Sequence, residues 1–91
     1  MKFLIVDDSP TMLRIIRNAL REIGYEDVEE AEDGEEALEV LEATSPDFVI
    51  TDWNMPKMNG VDLAKNIRNH PRYGRIPILM ITTRGMKEDV K

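Results

Sequence analysis

Three short apolar runs constrain this chain more than any other feature: Phe3-Leu4-Ile5-Val6, Phe48-Val49-Ile50-Thr51 and Ile78-Leu79-Met80-Ile81. None alternates with polar residues, so each suits a strand buried on both faces, as in a parallel sheet. Parallel neighbours cannot be joined by a tight hairpin and need crossover segments, usually helices. The intervening sequence supplies them. Ser9-Pro10 reads as a helix cap and first helical residue, followed at helical spacing by Met12, Ile16, Ala19, Leu20 and Ile23, with Gly24 at the stop.

The remaining elements follow the same alternation. Residues 27–31 form an acid-rich strand candidate whose charges suit a sheet edge. Asp33 caps a second helix, with Glu36 reaching back and Ala37, Leu38 and Leu41 as its stripe; Ser45-Pro46 ends it. Residues 52–58 form a loop, and Asn59 caps a third helix carrying Val61, Ala64 and Ile67. Pro71 and Pro77 bracket the last connection. The pattern β-α-β-α-β-α-β predicts one α/β domain over residues 1–91, a doubly wound parallel sheet with helices on both faces.

Charge narrows the function classes. Eighteen acidic against 12 basic residues give a net charge of −6, which argues against a nucleic-acid or anionic-membrane surface. With no cysteine there is neither a disulfide nor a thiolate metal site. The apolar runs are too short to span a membrane, and the N-terminus does not read as a signal peptide. A cytoplasmic location is the expectation.

In doubly wound sheets ligands bind beyond the carboxyl ends of the strands, where the strand order reverses. With strand order 2-1-3-4, Asp7 and Asp8 after the first strand, Asp52 after the third and Thr82 after the fourth share one crevice. Clustered carboxylates repel, and a hard divalent cation such as Mg²⁺ relieves this. A carboxylate can also act as nucleophile toward phosphorus, giving an aspartyl phosphate. The bland alternatives are turn chemistry for Asp7-Asp8, a loop aromatic for Trp53, gap-filling methionines at 55, 58, 80 and 86, and a solvated His70.

The segments Phe-Leu-Ile-Val-Asp-Asp-Ser, Ala-Glu-Asp-Gly-Glu-Glu-Ala-Leu, Val-Ile-Thr-Asp-Trp-Asn-Met-Pro-Lys-Met-Asn-Gly and Pro-Ile-Leu-Met-Ile-Thr together resemble the response-regulator receiver family of two-component signalling. The Asp-Trp-Asn-Met-Pro form is most similar to its chemotaxis regulators. The resemblance implies a flavodoxin-like fold, with Asp52 as phosphoacceptor for a histidine kinase. It implies Mg²⁺ held by Asp7, Asp8, Asp52 and the backbone carbonyl of Asn54, and Thr82 as the hydroxyl coupling phosphorylation to a switch. Thr83 then borders the phosphate and Arg84 tunes its lifetime, where chemotaxis regulators often carry an acid. A flagellar motor switch protein is the implied output partner.

The family pattern continues through a fifth strand bearing a phosphate-contacting lysine, and Lys87 and Lys91 follow the fourth strand too closely to supply it. The chain is therefore expected to be a receiver truncated before that strand, with impaired phosphotransfer and self-association through the exposed fourth strand. Two other readings stand beside it: a Mg²⁺-dependent phosphohydrolase with an aspartyl nucleophile, disfavoured because Asn54 occupies the place of the second Asp, and an unphosphorylated interaction or folding fragment. No Walker loop or Gly-x-Gly-x-x-Gly is present.

Overall fold

Each of the expected elements is found in the computed structural model of the protein, which describes residues 1–81. They run β1 (Phe3–Val6), α1 (Pro10–Glu22), β2 (Val28–Ala31), α2 (Gly34–Thr44), β3 (Phe48–Asp52), α3 (Gly60–Arg68) and β4 (Ile78–Ile81). Among the described residues the four strands form one parallel sheet in the order β2-β1-β3-β4. The chain steps from β1 outward to β2, then back across β1 to β3. With crossovers of one hand, that reversal puts the first helix on the opposite face from the next two.

The core divides accordingly. Phe3, Ile5, Val28 and Ile50 pack with Leu13 and Leu20 of α1. Leu4, Val6, Ala31 and Val49 pack with Ala37 and Leu41 of α2 and Leu63 and Ile67 of α3. Leu4, Ile5, Val6 and Val49 lose all solvent contact, which explains why their strands show no polar alternation. Each side chain of this size contributes about 1.5–3 kcal/mol by full burial.

The inward faces of two helices differ from the stripes read in the sequence. In α1 the buried residues are Met12, Leu13 and Leu20, whereas Ala19 and Ile23 are exposed. In α3 they are Gly60, Leu63 and Ile67, and Val61 and Ala64 sit at the margin. Both stripes rotate because neighbouring apolar positions compete, and only contact with the sheet decides between them.

Local chemistry fixes the helix ends. The Ser9 hydroxyl accepts from the Met12 N–H at 3.3 Å, and Pro10 occupies the first turn, where its missing N–H costs nothing. At the other end Gly24 adopts φ +100°. Its N–H donates to the Arg21 carbonyl at 3.0 Å and that of Tyr25 to Leu20 at 2.9 Å, a paired closure that satisfies two orphan carbonyls. The Asp33 carboxylate caps α2 by accepting from the Glu36 N–H at 2.8 Å. Glu36 reaches back one residue further than a simple capping box requires, to the N–H of Glu32 at 2.9 Å.

His70 is not merely solvated as the sequence suggested. Its Nε2 pairs with Glu42 of α2, its Nδ1 accepts from the Arg72 N–H at 3.0 Å, and its ring lies 4.7 Å from that of Tyr73. The Tyr73 hydroxyl in turn meets Ser45 Oγ at 3.0 Å, so the α3–β4 connection is clasped to the end of α2. No helix among the described residues is long and apolar enough to cross a membrane.

Candidate functional site

Register builds the site before any side chain is considered. Val6 lies beside Ala31 on one side and Thr51 on the other, so the residues just beyond Val6 and Thr51 emerge together at the carboxyl edge of the sheet. Those residues are Asp7 and Asp52. The Asp7 N–H extends the ladder by donating to the Ala31 carbonyl at 3.1 Å, and Asp52 is the last residue of β3, paired with Ile81 of β4. The strand order reverses between β1 and β3, so this is the crevice where doubly wound sheets bind ligands.

Each of Asp7, Asp8 and Asp52 offers a carboxylate oxygen within 4.8 Å of the others. Among the described residues they are the one group of three side chains suited to hold a metal ion. Asp7 and Asp52 are 0% and 1% exposed, whereas Asp8 faces solvent. Fully buried aspartates are rare because desolvating a carboxylate costs several kcal/mol. Two of them lie side by side with the exposed Asp8 beside them, a cluster of negative charge that a cation would offset. The donor set is all oxygen and anionic, which fits a hard divalent ion such as Mg²⁺ and offers nothing a soft metal would prefer.

Local contacts hold each acid. Asp7 accepts from the Ser9 N–H at 2.9 Å, so the same short turn that caps α1 orients the first carboxylate. The Thr51 side chain is buried, and its hydroxyl donates to the Asp52 carbonyl at 3.1 Å. The N–H of Trp53 donates to the Ile81 carbonyl of β4 at 2.8 Å, and its own carbonyl accepts from the Gly60 N–H at 2.9 Å. A Cβ on Gly60 would stand 2.4 Å from the Asp52 carbonyl oxygen and 3.1 Å from Trp53 Cα. Glycine is thus required for α3 to begin against the end of β3.

The loop between β3 and α3 is anchored by Met55, which is buried in the core, and Met58, whose side chain lies against Gly34 of α2. Asn54 is exposed at its outer side, and the Trp53 side chain is 51% exposed next to the acids. Asp7, Asp8 and Asp52 therefore come together as the sequence suggested, with Asn54 two residues along the same loop. Thr82, Thr83, Arg84, Lys87 and Lys91 lie outside the described residues. Sequence reasoning missed Thr51 and Gly60. Asn59 signalled a helix start, but nothing in the sequence showed which backbone that start would touch.

Comparison with known proteins agrees with this geometry. Residues 3–91 match the family model described as the response regulator receiver domain. The chain is 59% identical over 91 residues to the chemotaxis protein CheY1 of Helicobacter pylori, covering 99% of this chain and 73% of that protein. It is 50% identical to the chemotaxis protein CheY-3 of Vibrio cholerae, over 99% of this chain and 69% of the relative. Among solved structures, the N-terminal domain of a response regulator receiver protein from Methanoculleus marisnigri superposes with a TM-score of 0.85 at 38% identity, covering 91% of this chain and 67% of that one. The chemotaxis response regulator CheY4 of Vibrio cholerae gives 0.83 at 40% identity, over 97% and 72%.

Proposed function

This chain belongs to the response regulator receiver domain family, a family of signalling domains, and from that premise we propose that residues 1–91 form one receiver unit in which Asp52 accepts a phosphoryl group from a histidine kinase. The observation that supports this most is the triad itself: three carboxylates within 4.8 Å, two of them buried, at the point where the strand order reverses.

The chemistry follows from the chain's own groups. A carboxylate oxygen of Asp52 attacks the phosphorus of a phosphohistidine; the new O–P bond forms as the P–N bond breaks, and the leaving imidazole takes up a proton. The β-sheet, the Thr51 hydroxyl and the start of α3 hold the Asp52 backbone, so the nucleophile is positioned before the donor arrives. Asp7, Asp8, Asp52 and the Asn54 carbonyl would hold Mg²⁺. When bound, that ion neutralises the acids and the charge on the phosphoryl oxygens. Thr82 donates its hydroxyl hydrogen to a phosphoryl oxygen and carries the switch.

The relatives named as chemotaxis proteins support a role in chemotaxis; a cytoplasmic location and a flagellar motor switch protein as output partner complete the proposed reading.

The deciding experiment is a Mg²⁺ titration followed by the emission of Trp53, the only tryptophan, repeated with beryllofluoride and in Asp52→Asn. The expected result is a saturable change that the substitution weakens and beryllofluoride extends. A folded chain with no response to either ligand would falsify the assignment.

A further inference from the structure

We propose that the Asn59–Gly60 bond is a latent deamidation site, gated by the contacts that dock the start of α3 onto the backbone of Asp52 and Trp53. It is the only Asn-Gly step in the chain; Asn18, Asn54, Asn66 and Asn69 precede Ala, Met, Ile and His, whose side chains crowd the attacking nitrogen. The reaction needs only water. The Gly60 backbone nitrogen gives up its proton and bonds to the Asn59 side-chain carbonyl carbon. The C–N bond to the side-chain amide breaks and ammonia leaves. The resulting five-membered imide takes up one water and opens to either aspartate or the β-linked isoaspartate, and nothing is oxidised or reduced.

Asn59 is exposed, so water and base reach it. What opposes the reaction is the fold. The Gly60 N–H that must be lost is donated to the Trp53 carbonyl at 2.9 Å. The side-chain oxygen of Asn59 accepts from the Asp62 N–H at 2.9 Å, which holds the carboxamide over the first turn of α3. The backbone at Asn59 is extended, with ψ 173°, and ring closure requires rotation about that bond. Gly60 is buried against the Asp52 carbonyl, where a single added carbon would come within 2.4 Å, so the rotation has no room while α3 is docked.

Two consequences follow. Deamidation proceeds from molecules in which the β3–α3 junction has opened, so its rate measures that opening. The isoaspartate product adds one methylene to the main chain where the packing has no slack. That product cannot restore the Gly60–Trp53 hydrogen bond and the Asn59 cap together.

The test incubates the 91-residue protein at neutral pH, folded and in denaturing urea, and follows the one-dalton mass gain by intact-mass spectrometry. Peptide mapping places the change at Asn59 and separates it from isomerisation at Asp33-Gly34, which leaves the mass unchanged. The expected result is a folded-state rate slower than the unfolded rate by about tenfold or more, since each 1.4 kcal/mol of opening cost contributes roughly tenfold. Leu63→Ala, which loosens the buried face of α3, is expected to raise the rate in protein that circular dichroism shows to be folded. Equal rates in folded and unfolded chains overturn the proposal, as does a folded Leu63→Ala protein that deamidates no faster than its parent.

Discussion

β1 and β3 run side by side through the middle of the sheet, and their two ends could hardly differ more. At the amino ends Phe3 and Phe48 are register partners with ring centroids 5.4 Å apart, and Tyr25 closes on Phe3 at 4.9 Å. There the Asp47 carboxylate accepts from the main-chain N–H of Lys2 at 2.8 Å, and the Asp47 N–H donates to the Lys2 carbonyl at 2.8 Å. At the carboxyl ends the same two strands deliver Asp7 and Asp52, both buried, with Asp8 beside them. One end buries aromatic rings; the other gathers carboxylates. The same two strands thus separate apolar packing from the charged cluster by their own length.

Perturbing each end separately tests that division. The largest effect is expected from Asp52→Asn, which removes the proposed nucleophile. Labelling by acetyl phosphate, followed by intact-mass spectrometry, should fall to background while the melting temperature stays close to that of the parent. Phe3→Ala attacks the other end and should cost about 3–5 kcal/mol in urea denaturation. The fraction still folded should keep its Mg²⁺ response; if that response vanishes, the two ends are not separable. Mg²⁺ at one hundred times its dissociation constant should stabilise the parent by roughly 2.7 kcal/mol, and Asp7→Asn should remove most of that gain in a thermal melt. Asp33→Ala, which touches neither end, should cost only about 1 kcal/mol through loss of the α2 cap and leave the Mg²⁺ affinity unchanged. A marked loss of affinity there would extend the site toward α2.

Much of this architecture is written in local chemistry. Ser9-Pro10, Gly24, Asp33 and Asn59 punctuate the helices because each supplies a backbone bond or a φ value that few other residues can, and such signals survive without tertiary context. The acids were legible for a related reason. A charged residue placed straight after an unbroken apolar run must emerge at the strand's end. What could not be read depends on what lies across the core. Leu13 rather than Ile23 faces the sheet, Leu63 rather than Val61 fills the space under α3, and His70 finds Glu42 from 28 positions away. These choices are decided by neighbours distant in sequence. The tight seat of Gly60 on the Asp52 carbonyl belongs to the same class.

The peptide units around Trp53 tie two elements to one point. Its N–H is tied to the end of β4 and its C=O to the first residue of α3, and the residue before it is Asp52. The chain thus carries a yoke directly behind Asp52: two elements hang from one residue, one by its N–H and one by its C=O. β4 and α3 therefore share one hydrogen-bonded point of attachment, and it lies one residue from Asp52.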